Sequence, residues 1–130
     1  MFTTTLKTEY IDGKFWRLLD GLIYKTNTSE FTVPEGYVTD FGTIPRFFWR
    51  LVGPPTGCGN GAAYGPAAVL HDYLYEYGLT SRAVADHIFY EAMLSLNVDR
   101  WRAWMMWKAV RLAGWYPWRG YRKKDPSKKV

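Results

Sequence analysis

Cysteine is almost absent from this 130-residue chain, and Cys58 is the only one. A single thiol excludes an intramolecular disulfide and a cysteine-based zinc cluster, and it fits a reduced, cytoplasmic-type setting. Its Gly-Cys-Gly surroundings read as a loop. Histidine is scarce too, with two in the chain, which weakens any reading built on a cluster of imidazoles. Met1 to Thr8 contains no apolar core of the kind a secretory signal needs. One stretch, Leu51 to Leu70, is uncharged for twenty residues, but it holds Pro54, Pro55, Pro66 and five glycines. It therefore reads as a loop, and no transmembrane segment is expected. Acidic residues are missing from the end of the chain. From Arg119 onward six basic residues face one acid, which accounts for the whole net charge of +5, while the residues before carry eleven of each sign. The high isoelectric point thus reports a tail. Such a tail suits nucleic acid, acidic lipid or an acidic partner, and a solubilising terminus is the simpler account.

Large rings, by contrast, are abundant: seven Trp, ten Tyr and seven Phe. They call for an aromatic core, a stacking surface, or both. A hydrophobic fraction of 48% is that of an ordinary globular chain. The length suits one domain, read as an α+β domain over 1–118 with a flexible basic tail over 119–130.

The first third carries strand signals. Asp12-Gly13 and Asp20-Gly21 separate runs rich in Thr, Tyr, Phe, Ile and Leu, as tight hairpin turns do. Strands are expected near 3–10, 14–19 and 22–26, then over Phe31–Val33 and Tyr37–Thr39, as an antiparallel meander. Residues 41–66 are rich in Pro and Gly and read as irregular. Three helices follow. Pro66 suits the first turn of one, and Gly78 its end. Thr80 or Ser81 can cap a second, which runs to about Leu96 with Asn97 as its stop. Asp99 can cap a third, ended by Gly114. Strands first and helices after define an α+β order. In the third helix Trp101, Trp104, Met105 and Leu112 recur at helical spacing and are expected in the core. Trp107, Trp115, Tyr116 and Trp118 are surplus to one face. Interleaved with Arg and Lys, they could stack on bases, sit at a membrane interface or bury against a partner chain.

The residues with chemical potential begin with His71 and Asp72, adjacent in the apolar run Ala67 to Tyr75. Buried titratable groups need partners. Neighbours on a helix lie about 100° apart around its axis, so one can face a cleft while the other braces a neighbouring element. Arg82, Asp86, His87 and Glu91 follow on the second helix, as two pairs four apart. That spacing makes salt pairs, or places His and Glu where a metal is gripped. Asp86 shares a face with Phe89, Tyr90 and Met93, so it is expected to be partly buried and to need a cation, a metal or backbone N–H donors. The segment Thr39 to Arg46 offers an Asx-type turn at Asp40, the Thr43 hydroxyl and the Arg46 fork. It is either a structural turn or an anion pocket.

Taken in order, Thr39-Asp40-Phe41-x-x-Ile44-Pro45-Arg46, Ala67 to Tyr75, Ser81-Arg82-x-x-Ala85-Asp86-x-x-Phe89-x-x-Ala92-Met93 and Ala109-Val110-Arg111-x-x-Gly114 resemble the DUF1353 family of small bacteriophage and prophage proteins. Gly42-Thr43 stands where that family usually has Ala-Ser, and Thr keeps the hydroxyl. The resemblance implies a phage origin and joins Asp40, Thr43, Arg46, His71, Asp72, Arg82 and Asp86 into one candidate site. It implies no reaction.

Three functions fit these residues. The first is a metal-dependent hydrolase. His71, Asp72, Asp86 and Asp40 would be catalytic, with His71, Asp72 and Asp86 holding a divalent ion such as Zn or Mn that acidifies a bound water. Thr43, Arg46 and Arg82 would hold an anionic substrate. The second is a non-catalytic binder of a nucleotide-type ligand, acting as an anti-defence sponge in the host cytoplasm. The third is a virion or assembly component that docks on a phage or host protein, its His/Asp set an internal brace. The expectation leans narrowly to the first. It also holds that His71 faces the ligand, while Asp72 is as well suited to brace Arg46 or Arg82 as to bind anything.

Overall fold

The computed structural model describes residues 1–12, 15–39 and 64–124. Five strands precede four helices: β1 Thr8–Asp12, β2 Phe15–Leu18, β3 Leu22–Lys25, β4 Glu30–Val33, β5 Val38–Thr39, α1 Gly65–Tyr77, α2 Arg82–Ser95, α3 Arg100–Ala113 and α4 Trp115–Lys124. This is the α+β order expected from the sequence. The residues 40–63, with Asp40, Thr43 and Arg46, lie outside the described part.

The strands form two small sheets instead of one meander. β1 and β2 pair antiparallel across the Asp12-Gly13 step, with Thr8 opposite Leu18 and Tyr10 opposite Trp16. β5 adds to the other edge of β2. β3 and β4 pair separately, with Leu22 opposite Val33 and Lys25 opposite Glu30. Asp20-Gly21 is therefore a crossing between sheets and not a hairpin. The reason lies in the pleat. A two-residue hairpin there would set Leu19 against Leu22 and Leu18 against Ile23, placing Leu18 and Leu22 on opposite faces. Both are buried in the core, which requires the pairing to break between them. The expected first strand is divided for a similar reason. Its beginning lies along β3, where Thr3 N donates to Ile23 O at 3.0 Å and the preceding Phe2 bridges Tyr24, and only its later part pairs with β2. The Thr26 hydroxyl closes the turn between β3 and β4 by accepting from Ser29 N at 2.9 Å.

The helix ends follow local chemistry. Pro66 sits in the first turn of α1, and Gly78 ends it in the left-handed region at φ 60°, its N–H bonded to Leu74 O. The Ser81 hydroxyl caps α2 by accepting from Val84 N. Asn97, at φ 64°, turns the chain after it. α1 is the central element and packs on α2, α4, β3 and β4, while α3 packs on α2. Leu18, Leu22, Tyr24 and Val33 from the strands meet Leu70, Leu74, Phe89, Met93 and Met106 in one core.

α3 presents the opposite face to that expected. It buries Arg102, Ala103, Met106, Ala109 and Val110, and leaves Trp101, Trp104 and Leu112 at 54%, 52% and 69% exposure, with Met105 half-buried. Four of its fourteen residues are basic, and one of them, Arg102, falls on the buried side, so neither charge nor ring size by itself chooses the face. Small residues let it pack close to the neighbouring helix, and the bulky rings are left outside.

α4 was not among the expected helices. Pro117 falls in its first turn, where its missing N–H has no helical partner to forgo. The helix runs past 119, where the sequence reading begins a flexible tail, because Arg122 is drawn inward. Its guanidinium donates to Tyr75 O at 2.7 Å and Glu76 O at 2.9 Å and lies 4.5 Å from the Trp118 ring. The last carbonyls of any helix lack partners within it, and α1 has no basic residue in its own last turn. Arg122 supplies that cation from another helix.

Candidate functional site

The polar residues singled out by the sequence fall into two places. α1 presents His71 and, one turn later, Tyr75. α2 presents Arg82 and, one turn later, Asp86. α3 contributes Arg111. Four of these side chains converge on the carboxylate of the fifth. Asp86 Oδ1 lies 2.6 Å from His71 Nε2 and accepts from the Tyr75 hydroxyl at 2.6 Å. Asp86 Oδ2 accepts from Arg111 at 2.8 Å and lies 3.5 Å from an Arg82 nitrogen. Asp86 is wholly enclosed at 0% exposure and His71 nearly so at 2%. The imidazole sits between rings, 4.2 Å from Tyr75 and 4.7 Å from Phe89.

Burial alone would raise the Asp86 pKa. The hydrogen bonds from His71, Tyr75 and Arg111 outweigh it and hold the carboxyl below its ordinary range. Burial lowers the His71 pKa, and the pull of Asp86 does not overcome this. The pair is therefore an ionised aspartate and a neutral imidazole. An ionised carboxylate only accepts, so His71 donates Nε2–H to it. The Tyr75 hydroxyl is pushed well above its usual pKa by burial and by its bond to Asp86. Arg82 also donates to Val110 O at 3.1 Å and to Arg111 O at 3.4 Å, so it closes the C-terminal end of α3 much as Arg122 closes that of α1.

Asp72 points elsewhere, as adjacency on a helix requires. It is half-buried and accepts from the Thr39 hydroxyl at 2.8 Å, tying α1 to β5. It does not pair with Arg82, which is engaged by Asp86. His87 and Glu91 form an exposed pair at 3.1 Å. Of the expected site, His71, Arg82 and Asp86 come together, Asp72 stands apart, and Asp40, Thr43 and Arg46 lie outside the described residues. Among the described residues no three His, Cys, Asp or Glu side chains are grouped to hold a metal ion. The chemistry at Asp86 does not fit one either. A divalent cation would have to displace a guanidinium and lie against another, and His71 offers its N–H and not a lone pair on that side. Tyr75, Arg111 and Thr39 were not read as site members. Tyr75 is four residues from His71, and Arg111 lies in the motif ending at Gly114, so both were within reach. Which helix face α3 turns inward was not.

The model of the family described as "Protein of unknown function (DUF1353)" matches residues 16–110. The chain belongs to the DUF1353 family. The matched segment carries His71, Tyr75, Arg82 and Asp86 and ends one residue before Arg111. The chain is also similar to the uncharacterized protein y4jT of Sinorhizobium fredii (strain NBRC 101917 / NGR234), at 33% identity over 88 residues, 68% of this chain and 25% of that protein. This DUF1353 chain thus matches only a quarter of the length of that relative. No solved structure matches it. Among its described residues no helix is long and apolar enough to cross a membrane.

Proposed function

We propose that this DUF1353 protein is a non-catalytic assembly component of a bacteriophage particle, and that its His/Asp set is an internal brace. One observation carries the reading. The Asp86 carboxylate is fully enclosed, and its acceptor sites are filled by donors from α1, α2 and α3. A general acid or base has to come within hydrogen-bond reach of its substrate. Here His71 and Asp86 hold each other, and Arg82 and Arg111 are engaged by Asp86 and the end of α3. The hydrolase and the sponge both need some of these groups turned toward a ligand.

Two further facts support a docking role. Leu112, Trp115 and Tyr116 are each about half exposed or more on the last two helices. The matching region is a quarter of the Sinorhizobium relative, which fits a unit that works as part of a larger body. The protein would act in the host cytoplasm during assembly and then in the virion. Mass spectrometry of particles and assembly intermediates from the phage that encodes the chain tests this. Stoichiometric presence is expected, and absence from both overturns the reading.

A further inference from the structure

The last two helices concentrate charge and rings beyond what the brace uses. Residues 100–124 hold no acid, and with Arg102 and Arg122 buried and Arg111 held by Asp86, the exposed Arg100, Lys108, Arg119 and Lys123 remain, along with Trp101, Trp104, Trp107 and Trp115 outside the core. Two of those rings, Trp104 and Trp107 on α3, line an open groove of about 270 Å³ with Tyr90 and His87 on α2. The Lys108 ammonium lies 5.9 Å from the centroids of both tryptophans. His87, bonded to Glu91, gives the opposite wall a polar edge.

An open aromatic groove with a cation at its lip matches a base and the phosphate joined to it. We propose that this groove binds a base of a single-stranded nucleic acid, with Trp104 and Trp107 as the stacking surface and Lys108 as the phosphate contact. Charge complementarity selects the occupant. A second copy of the chain would bring a second positive face against the first. A lipid surface is disfavoured because acyl chains would dehydrate the His87–Glu91 pair. A polymer fits better than a mononucleotide, since the exposed Arg100, one turn before Trp104 on α3, adds a second cation to that of Lys108, one turn after it. Trp101, also about half exposed and on the turn before Trp104, adds a ring on which a further base can stack. The groove and its charge do not depend on whether the chain is packaged in particles.

Fluorescence anisotropy with the full chain tests the proposal. The probes are a labelled oligothymidylate, an abasic phosphodiester strand of equal length and a duplex of equal length, with co-sedimentation on phosphatidylglycerol vesicles in parallel. The oligothymidylate is expected to bind with an affinity that falls steeply with salt, and the abasic strand at least about tenfold more weakly. Trp104→Ala and Trp107→Ala should each weaken binding about tenfold. Lys108→Gln should weaken it and flatten the salt dependence. If Trp107→Ala lowers the melting temperature, Lys108→Gln and the abasic comparison on the native chain still decide. Equal affinity for the abasic strand, preference for duplex or vesicles, or no binding to any probe would each overturn the proposal. None of these outcomes bears on the particle experiment, which can fail or succeed separately.

Discussion

Whether His71 and Asp86 form a site or a brace turns on which atoms are left to react. His71 donates to a carboxylate that also receives a tyrosine hydroxyl and a guanidinium. Linkage turns this arrangement into a pH dependence. Burial keeps His71 neutral in the folded chain, so the unfolded chain takes up the proton first. Stability is complete above the ordinary histidine value of 6.5 and falls as pH drops below it. Asp86 acts in the same direction lower down. Its carboxyl is held ionised, and that contribution is lost as pH falls below 3.8 and on through its depressed folded pKa. Thermal melts from about pH 7 to about pH 5 should therefore show a falling midpoint. His71→Gln should be less stable at neutral pH yet vary less across that range. A variant that tracks the native slope would refute the assignment.

At the scale of elements, Gly114 has an unexpected duty. The sequence reads it as a helix end, and α3 does end there, but its φ of −68° is one that any residue adopts. Its role is close approach. A Cβ at Gly114 would fall against the Val110 carbonyl oxygen and the Tyr75 hydroxyl, and within 3.3 Å of an Arg82 nitrogen. Gly114→Ala should cost about 1–3 kcal/mol by overpacking, read as a lowered urea midpoint. An alanine at Gly120 meets nothing within 4 Å and should leave the midpoint unchanged or raise it. The same crowding explains how the ends of α1 and α3 are completed. Neither C-terminal end is capped by a cation on its own helix that reaches back. Arg122 comes from α4 and Arg82 from α2, so each end gains its cation only when its neighbour is in place.

For the whole molecule the Asp86 cluster is the point where α1, α2 and α3 meet. Asp86→Asn would leave Arg111 and Arg82 facing a neutral amide that also brings N–H donors among donors. The expected loss is about 3 kcal/mol, the scale for removing one partner of a buried ion pair. Because one carboxylate serves three helices, the loss should appear as a single cooperative shift in circular dichroism and in tryptophan fluorescence alike. Separate transitions for the two signals would mean that the cluster is peripheral to the helical half.

The sequence by itself determined the α+β order, the beginnings and ends of the first three helices and the short list from which the cluster is drawn. Those depend on local chemistry: Pro66 and Gly78 at the ends of α1, Ser81 at the start of α2, and the need of a buried Asp86 for a cation. Tertiary structure decided the rest. It chose which face of α3 turns inward, broke the strands into two sheets so that Leu18 and Leu22 could both be buried, and held the Arg119–Lys124 end as helix by drawing Arg122 onto α1. It also selected Asp86 over Asp72 as the partner of His71. Each of these choices compares burial on competing faces or joins groups far apart in the chain. Periodicity and capping describe one segment at a time and contain no term for that competition.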